Sequence, residues 1–188
     1  AEACLITVKK QEAPAHMPQV KKSLALVYAV NAFGADHQSS EHDWMYEEGT
    51  AELYLERLAL MGLTNPPPAG DFGSEKVKFG TLSHIFYSLL DTLTICQFVW
   101  GPAWTLYGPT ETVELVKAAT GWDVSLEELL QAGERRLNMM RVFNLREGFS
   151  RKDDKLPAKF FEPLKGAGPS AGVAVDKDLL ELAIDQHY

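Results

Sequence analysis

Leu82–Gly101, LSHIFYSLLDTLTICQFVWG, is the most apolar run of the chain and the stretch on which its fold turns. Leu82, Ile85, Phe86, Leu89, Leu90, Leu93 and Cys96 recur at three- and four-residue steps, which predicts a buried helix. Asp91 and Cys96 lie inside that run. A carboxylate in apolar surroundings needs a partner or a ligand. A cysteine there is at home as core. Each residue alone therefore reads first as structural, and the two together mark a place to test for chemistry.

The sequence around this run has the ordinary balance of a globular protein: 188 residues, 46% hydrophobic and 23% charged, enough for one domain with a sizeable core. Ser83, His84, Asp91 and Gln97 interrupt the best membrane-span candidate. The formal charge of −8, with no basic cluster interleaved with aromatics, argues against nucleic acid and anionic membranes as partners. The N-terminal AEACLITVKK lacks the build of a signal peptide, and two cysteines do not make a disulfide framework. A cytoplasmic location is expected, with a Cys4–Cys96 bridge as a minor alternative. The missing initiator Met and the strand-like CLITVKK point to a piece of a longer polypeptide.

Working outward, residues 3–9 read as one short strand, followed by an extended linker broken by Pro14 and Pro18. Gln19 to Val30 is helical and apolar nearly all round, hence central. Gly34 is its expected stop. Residues 43–62 predict an amphipathic helix ending at Gly62, and the triple proline at 66–68 marks a long loop. Beyond the central run, residues 110–120 form a helix stopped by Gly121. Ser125 and Glu128 then set a capping box for a helix with the stripe Leu126, Leu129, Leu130, Gly133, Leu137 and Met140. Residues 144–172 are mostly irregular, and DKDLLELAIDQHY closes the chain as a short helix. The class is all-α: an irregular domain of about six helices with long loops and at most a short N-terminal strand.

Two stretches carry titratable groups at high density. ADHQSSEHD holds Asp36, His37, Glu41, His42 and Asp43, a zinc or non-haem iron donor set in kind. Its spacing has no HExxH geometry, and Asp43 as the N-cap of the next helix accounts for much of the acid. A histidine on a turn after a helix is also suited to exchange protons near neutral pH. REGFSRKDDKLP, residues 146–157, reads as a solvated charged face, although Arg146 or Arg151 would suit a phosphate or carboxylate. No phosphate-binding glycine loop or GxSxG motif is present.

Several of these stretches together resemble the C-terminal part of the aldehyde ferredoxin oxidoreductase family, the tungsten or molybdenum pterin iron–sulfur enzymes. VKKSLALVYAVNAFGADH is similar to the family's helix ending in an R-G-A-x-H-like turn. DTLTIC, residues 91–96, resembles its D-x-x-G-L-C motif, with Thr94 where the motif often has Gly. Residues 108–157 resemble its terminal segment, closing on N-x-R-E-G-x-x-R-x-D-D-x-L-P.

The resemblance implies a role for each matching position. Cys96 is implied as the last of four thiolate ligands of a 4Fe–4S cluster. Asp91 is implied as a contact to the pterin, and Ile95 lies where the family backbone approaches the same cofactor. His37 is implied as the active-site histidine, with His42 as substitute. The activity implied is interconversion of aldehydes and carboxylic acids at a tungstopterin or molybdopterin centre, with electrons leaving to ferredoxin. The cofactor-binding N-terminal domains of the same polypeptide are not in this chain, so residues 1–188 alone are expected to be an apo, inactive C-terminal domain. Its uncovered apolar face is expected to favour a homodimer. A non-catalytic helical scaffold, with Cys96 as core and Asp91 paired with an arginine, is the alternative.

Overall fold

The computed structural model describes residues 5–100 and 104–188. Cys4, and with it the proposed disulfide, lies outside the described residues. The described chain is all-α apart from one minute hairpin, as the sequence predicts.

The hairpin pairs β1 (Thr7–Val8) with β2 (Gln11–Glu12), antiparallel, Thr7 opposite Glu12. Lys9 and Lys10 make its turn at φ 48° and 70°, the two left-handed residues of a tight hairpin. The expected lone strand therefore has a partner taken from the expected linker. Helix α1 (Lys22–Val30) is buried at every position. The loop after it rests on the hairpin at Gly34, where φ is +100° and an added Cβ would stand 2.2 Å from the Val8 carbonyl oxygen. Only glycine permits that approach.

The helix expected over 43–62 is broken in two. Asp43–Tyr46 is a 3-10 turn and α2 spans Glu52–Ala59. Asp43 does not cap it. Its carboxylate instead accepts from the Ser23 amide at 3.0 Å and hydroxyl at 2.5 Å and faces Lys76 at 3.5 Å. Helix α3 spans Ser74–Thr92, so it begins before the predicted run and ends short of Cys96. Its first turns escape a periodicity argument because they bury a charge. Lys76 is fully enclosed, paired with Glu47 at 3.0 Å as well as with Asp43.

The end of α3 is a Schellman motif. The Ile95 amide donates to the Leu90 carbonyl and the Thr94 amide to that of Asp91, each at 3.0 Å. Thr94 occupies the left-handed position at φ 57°. That position normally belongs to glycine, and a β-branched residue there is strained.

Helix α4 (Pro109–Thr120) stops at Gly121 with φ +74°, and α5 (Leu126–Arg146) opens on the expected box. Ser125 Oγ accepts from the Glu128 amide at 3.2 Å and Glu128 returns the contact at 2.8 Å. Helix α6 (Lys177–His187) closes the fold, capped by Asp176.

Two apolar clusters result. One gathers Val8, Leu24, Tyr28, Leu156, Phe160, Leu180 and Ile184 around α1 and α6. The other gathers Met45, Leu58, Phe79, Phe86, Leu89, Trp100, Trp104 and Leu129 around α3 and α5. Helix α3 contributes to both, with Val77 in the first and Phe79 onward in the second. It crosses α5 at Gly133, where an added Cβ would stand 2.4 Å from the Ile85 carbonyl oxygen. The Ser88 hydroxyl donates to the Gly133 carbonyl there at 2.8 Å.

The charged run 146–157 is not simply a solvated face. Asp154 is buried and binds Lys9 at 2.9 Å and Arg141 at 2.8 Å, while the Tyr188 hydroxyl donates to it at 3.0 Å. Arg151 is engaged with Glu181 and Asp185 of α6 rather than waiting for a phosphate. Among the described residues no helix is long and apolar enough to cross a membrane.

Candidate functional site

Asp91 and Cys96 both leave the core once α3 is seen to stop at Thr92. Asp91 is on the last turn, its side chain 44% exposed and paired with Arg136 at 3.1 Å. It is neither enclosed by apolar groups nor alone, which corrects the reading of a buried orphan carboxylate. Arg136 also donates to Ser88 Oγ at 3.2 Å, so the pair is tied to the α3–α5 crossing. A carboxylate accepts more than one donor, so Asp91 retains capacity beyond Arg136.

Cys96 is exposed, which removes the reading of it as core. It heads a 3-10 turn, Gln97–Val99, on which Phe98 is 81% exposed and Val99 49%. Ile95, half-buried, lines a neighbouring hollow of about 470 Å³ with Val99, Trp100, Tyr107 and Leu115. A thiol presented on a protruding turn among apolar side chains fits one ligand of a cluster whose other thiolates come from elsewhere. Among the described residues, no group of three or more His, Cys, Asp or Glu is arranged to hold a metal ion. The independent zinc or iron site weighed for Asp36, His37, Glu41, His42 and Asp43 therefore has no geometric support.

His37 is brought to the Cys96 turn by the fold. The Gln97 side-chain amide donates to the Gln38 carbonyl at 2.6 Å, fastening the turn after Cys96 to the loop that carries His37. Between them lies a cavity of about 180 Å³ lined by His37, Ser40, Glu41, His42, Tyr87, Gln97 and Phe98. Two buried polar atoms of its lining residues, His37 Nδ1 and Ser40 Oγ, have no hydrogen-bond partner. Buried polar groups are normally satisfied, so an orphaned pair beside a cavity marks a place for a polar ligand or water. Glu41 is fixed at the edge, accepting from the Tyr87 hydroxyl at 2.7 Å and from the His42 amide at 2.9 Å. Burial, then the nearby Glu41 charge, raises the Tyr87 phenol above the ordinary tyrosine range and keeps it a donor.

His42 is differently placed. Its Nδ1 is 2.7 Å from Lys21 Nζ and its Nε2 is 3.3 Å from the His37 carbonyl oxygen. With both nitrogens engaged, it is the weaker candidate for proton exchange. A third imidazole, His16, packs on His37 with ring centroids 4.5 Å apart and on His42 at 4.7 Å, and it shares Lys21, with Nδ1 at 3.0 Å. Sequence reasoning missed His16, Lys21, Ser40, Tyr87 and Gln97. No spacing connects residue 16 with residues 37 and 42, and the lysine pair 21–22 looks like any basic start of a helix.

A family model described as "Aldehyde ferredoxin oxidoreductase, domains 2 & 3" matches residues 1–188. The tungsten-containing aldehyde ferredoxin oxidoreductases of Pyrococcus horikoshii and Pyrococcus furiosus are each 31% identical, over 170 and 172 residues. These cover 89% and 90% of this chain, and 25% and 26% of the relatives. An aliphatic sulfonate oxidoreductase, WOR-like subunit, of Pyrococcus furiosus is 31% identical over 115 residues, 58% of this chain and 17% of its own length. The chain spans about a quarter of the length of the aldehyde oxidoreductases it matches.

Proposed function

Because the chain belongs to the aldehyde ferredoxin oxidoreductase family, we propose that it is the C-terminal part of an enzyme that interconverts aldehydes and carboxylic acids. Residues 1–188 form one α-helical unit in this reading, joined by the shared helix α3. The rest of the polypeptide carries the pterin and the other cluster thiolates. The single observation that supports it best is the bond from Gln97 to Gln38, which sets the Cys96 turn and the His37 loop around one cavity.

Each residue has a distinct task. Cys96 supplies one thiolate to a 4Fe–4S cluster. Asp91, held by Arg136, accepts N–H donors of the pterin edge with its remaining capacity, and Ile95 continues the same contact surface. His37 gives or takes the proton at its unpartnered Nδ1. Ser40 holds a polar group beside it, and Glu41 and Tyr87 wall the cavity. When bound, the tungsten or molybdenum pterin centre supplies two-electron redox chemistry and the cluster passes electrons on, with ferredoxin as acceptor. Phe98, Val99, Leu115 and Tyr107 are exposed on the cofactor side, a surface suited to cover by the rest of the protein and prone to homodimer contacts when bare. The isolated chain is apo and inactive in this reading.

The Asp91–Arg136 pair gives the non-catalytic scaffold reading one point in its favour, since it satisfies the carboxylate without a cofactor. The two are separated by anaerobic expression of the complete polypeptide with Cys96→Ser or His37→Gln. The catalytic reading expects Cys96→Ser to lose cluster iron, and His37→Gln to lose aldehyde oxidation while retaining iron and metal. Unchanged iron and turnover in both variants would select the scaffold.

A further inference from the structure

The cluster of His16, His37 and His42 around Lys21 plays no part in the reading above except through His37. An ammonium has hydrogen-bond donors and no acceptor. Lys21 Nζ lies 3.0 Å from His16 Nδ1 and 2.7 Å from His42 Nδ1, so both nitrogens must present lone pairs to it. A neutral imidazole with a bare Nδ1 carries its hydrogen on Nε2. For His42 that assignment closes on itself, because Nε2 faces the His37 carbonyl oxygen at 3.3 Å, an acceptor only. The same ammonium thus holds His42 against the backbone of His37 and His16 against the face of its ring.

We propose that Lys21 is a positioning residue for His37: its ammonium locks His16 and His42 as Nε2–H imidazoles that clamp the His37 ring and backbone, leaving His37 Nδ1 free for proton exchange.

The charges around the cluster agree. His16 is pushed down to about 4, by burial first and then by Lys21, His42 and His37. His42 is lowered by burial and Lys21 against the opposing pull of Glu41 and the bond to His37. Lys21 is itself lowered by burial, with Asp43 and Glu41 acting to keep its proton on. The positive site is thereby assigned to the lysine, and the two supporting imidazoles stay neutral near pH 7.

The structural half of this inference stands without the catalytic reading of His37; the functional half rests on it. Nitrogen-15 imidazole spectra of the 188-residue chain, recorded from pH 8 to 4, test the first. His42 and His16 should be Nε2–H tautomers, with His16 unprotonated above pH ~5. Lys21→Met should mix the tautomers and raise the proton affinity of His16 severalfold, while Lys21→Arg preserves the wild-type pattern. An Nδ1–H tautomer at His42 in the wild type, which needs no variant to fold, overturns the lock. So do superposable titrations of the wild type and Lys21→Met.

The second half uses the complete holoenzyme. Lys21→Met should lower kcat about tenfold at constant iron content and shift its pH profile, with Lys21→Arg restoring both. An unshifted profile overturns the positioning role. A His37→Gln enzyme with full turnover would overturn the catalytic reading instead, and leave the tautomer result standing.

Discussion

Replacing Gly133 by alanine sets two effects of opposite sign against each other. Glycine in the interior of a long helix costs about 1 kcal/mol relative to alanine, so propensity alone says that Gly133→Ala should stabilise α5. The packing says otherwise. The new methyl would meet the Ile85 carbonyl oxygen at 2.4 Å and the Leu89 amide nitrogen at 2.9 Å. Both are backbone atoms of α3 and cannot swing aside. Comfortable contact begins near ~3.5 Å, so the helices must part by about 1 Å along their crossing. Overpacking of this kind costs about 1–3 kcal/mol. The Ser88–Gly133 bond, about 1 kcal/mol, stretches with it. A net loss of about 2 kcal/mol is expected after the propensity gain. Urea unfolding of the 188-residue chain, followed by far-ultraviolet circular dichroism, gives the difference directly. The exposed Gln131→Ala on the same helix serves as control and should change little. A Gly133→Ala protein as stable as the wild type would refute the backbone contact between α3 and α5 on which the placement of Arg136 and Asp91 depends.

Three further outcomes are expected. Thr94→Gly should stabilise the chain by about 1 kcal/mol, measured by the same unfolding curves, because it relieves a β-branched left-handed residue at a Schellman position; a loss of stability would mean that the Thr94 side chain makes a contact worth more than the strain. Asp154→Asn should cost about 3–5 kcal/mol, since it strands Lys9 and Arg141 beside an uncharged group in a buried setting; a midpoint within error of wild type would contradict that network. His84, fully buried and pushed down to about 3 by burial, then by His187 and Arg136, binds a proton more readily unfolded than folded. Its contribution to stability should therefore be level above pH ~6.5 and fall on acidification from there toward pH ~4, by up to about 1.4 kcal/mol per pH unit. His84→Gln should flatten that slope by about one proton, and an unaltered slope would assign the acid sensitivity elsewhere.

Where the sequence was a good guide, the signal was local. The Ser125–Glu128 box, the Gly121 stop and the apolar α1 are properties of a few neighbouring residues, and each stands as read. The failures come from helix ends and from contacts between distant parts of the chain. The apolar run was traced only from Leu82, and the turns of α3 before it bury Lys76, which Asp43 and Glu47 arrive from a distant loop to neutralise. Asp91 looked buried because the run around it is apolar, yet the helix ends one residue later and turns it outward. The role proposed for Cys96 rests on the motif, and the fold adds only that the thiol is exposed. His37 was placed by the same resemblance, while its supports, His16 and Lys21, became visible only when the linker folded back beside α1.

The cluster of Val8, Leu24 and Tyr28 with Leu180 and Ile184 has a consequence for how the protein is made. Its members come from the first and the last elements of this stretch of chain, and Asp154 adds a clasp between Lys9 and Tyr188. During synthesis the first cluster cannot be completed until α6 has cleared the ribosome, whereas Phe79 to Leu129 can already condense. Folding is thus divided in time, and nascent α1, apolar nearly all round, is a segment a chaperone would cover while α6 is still being made.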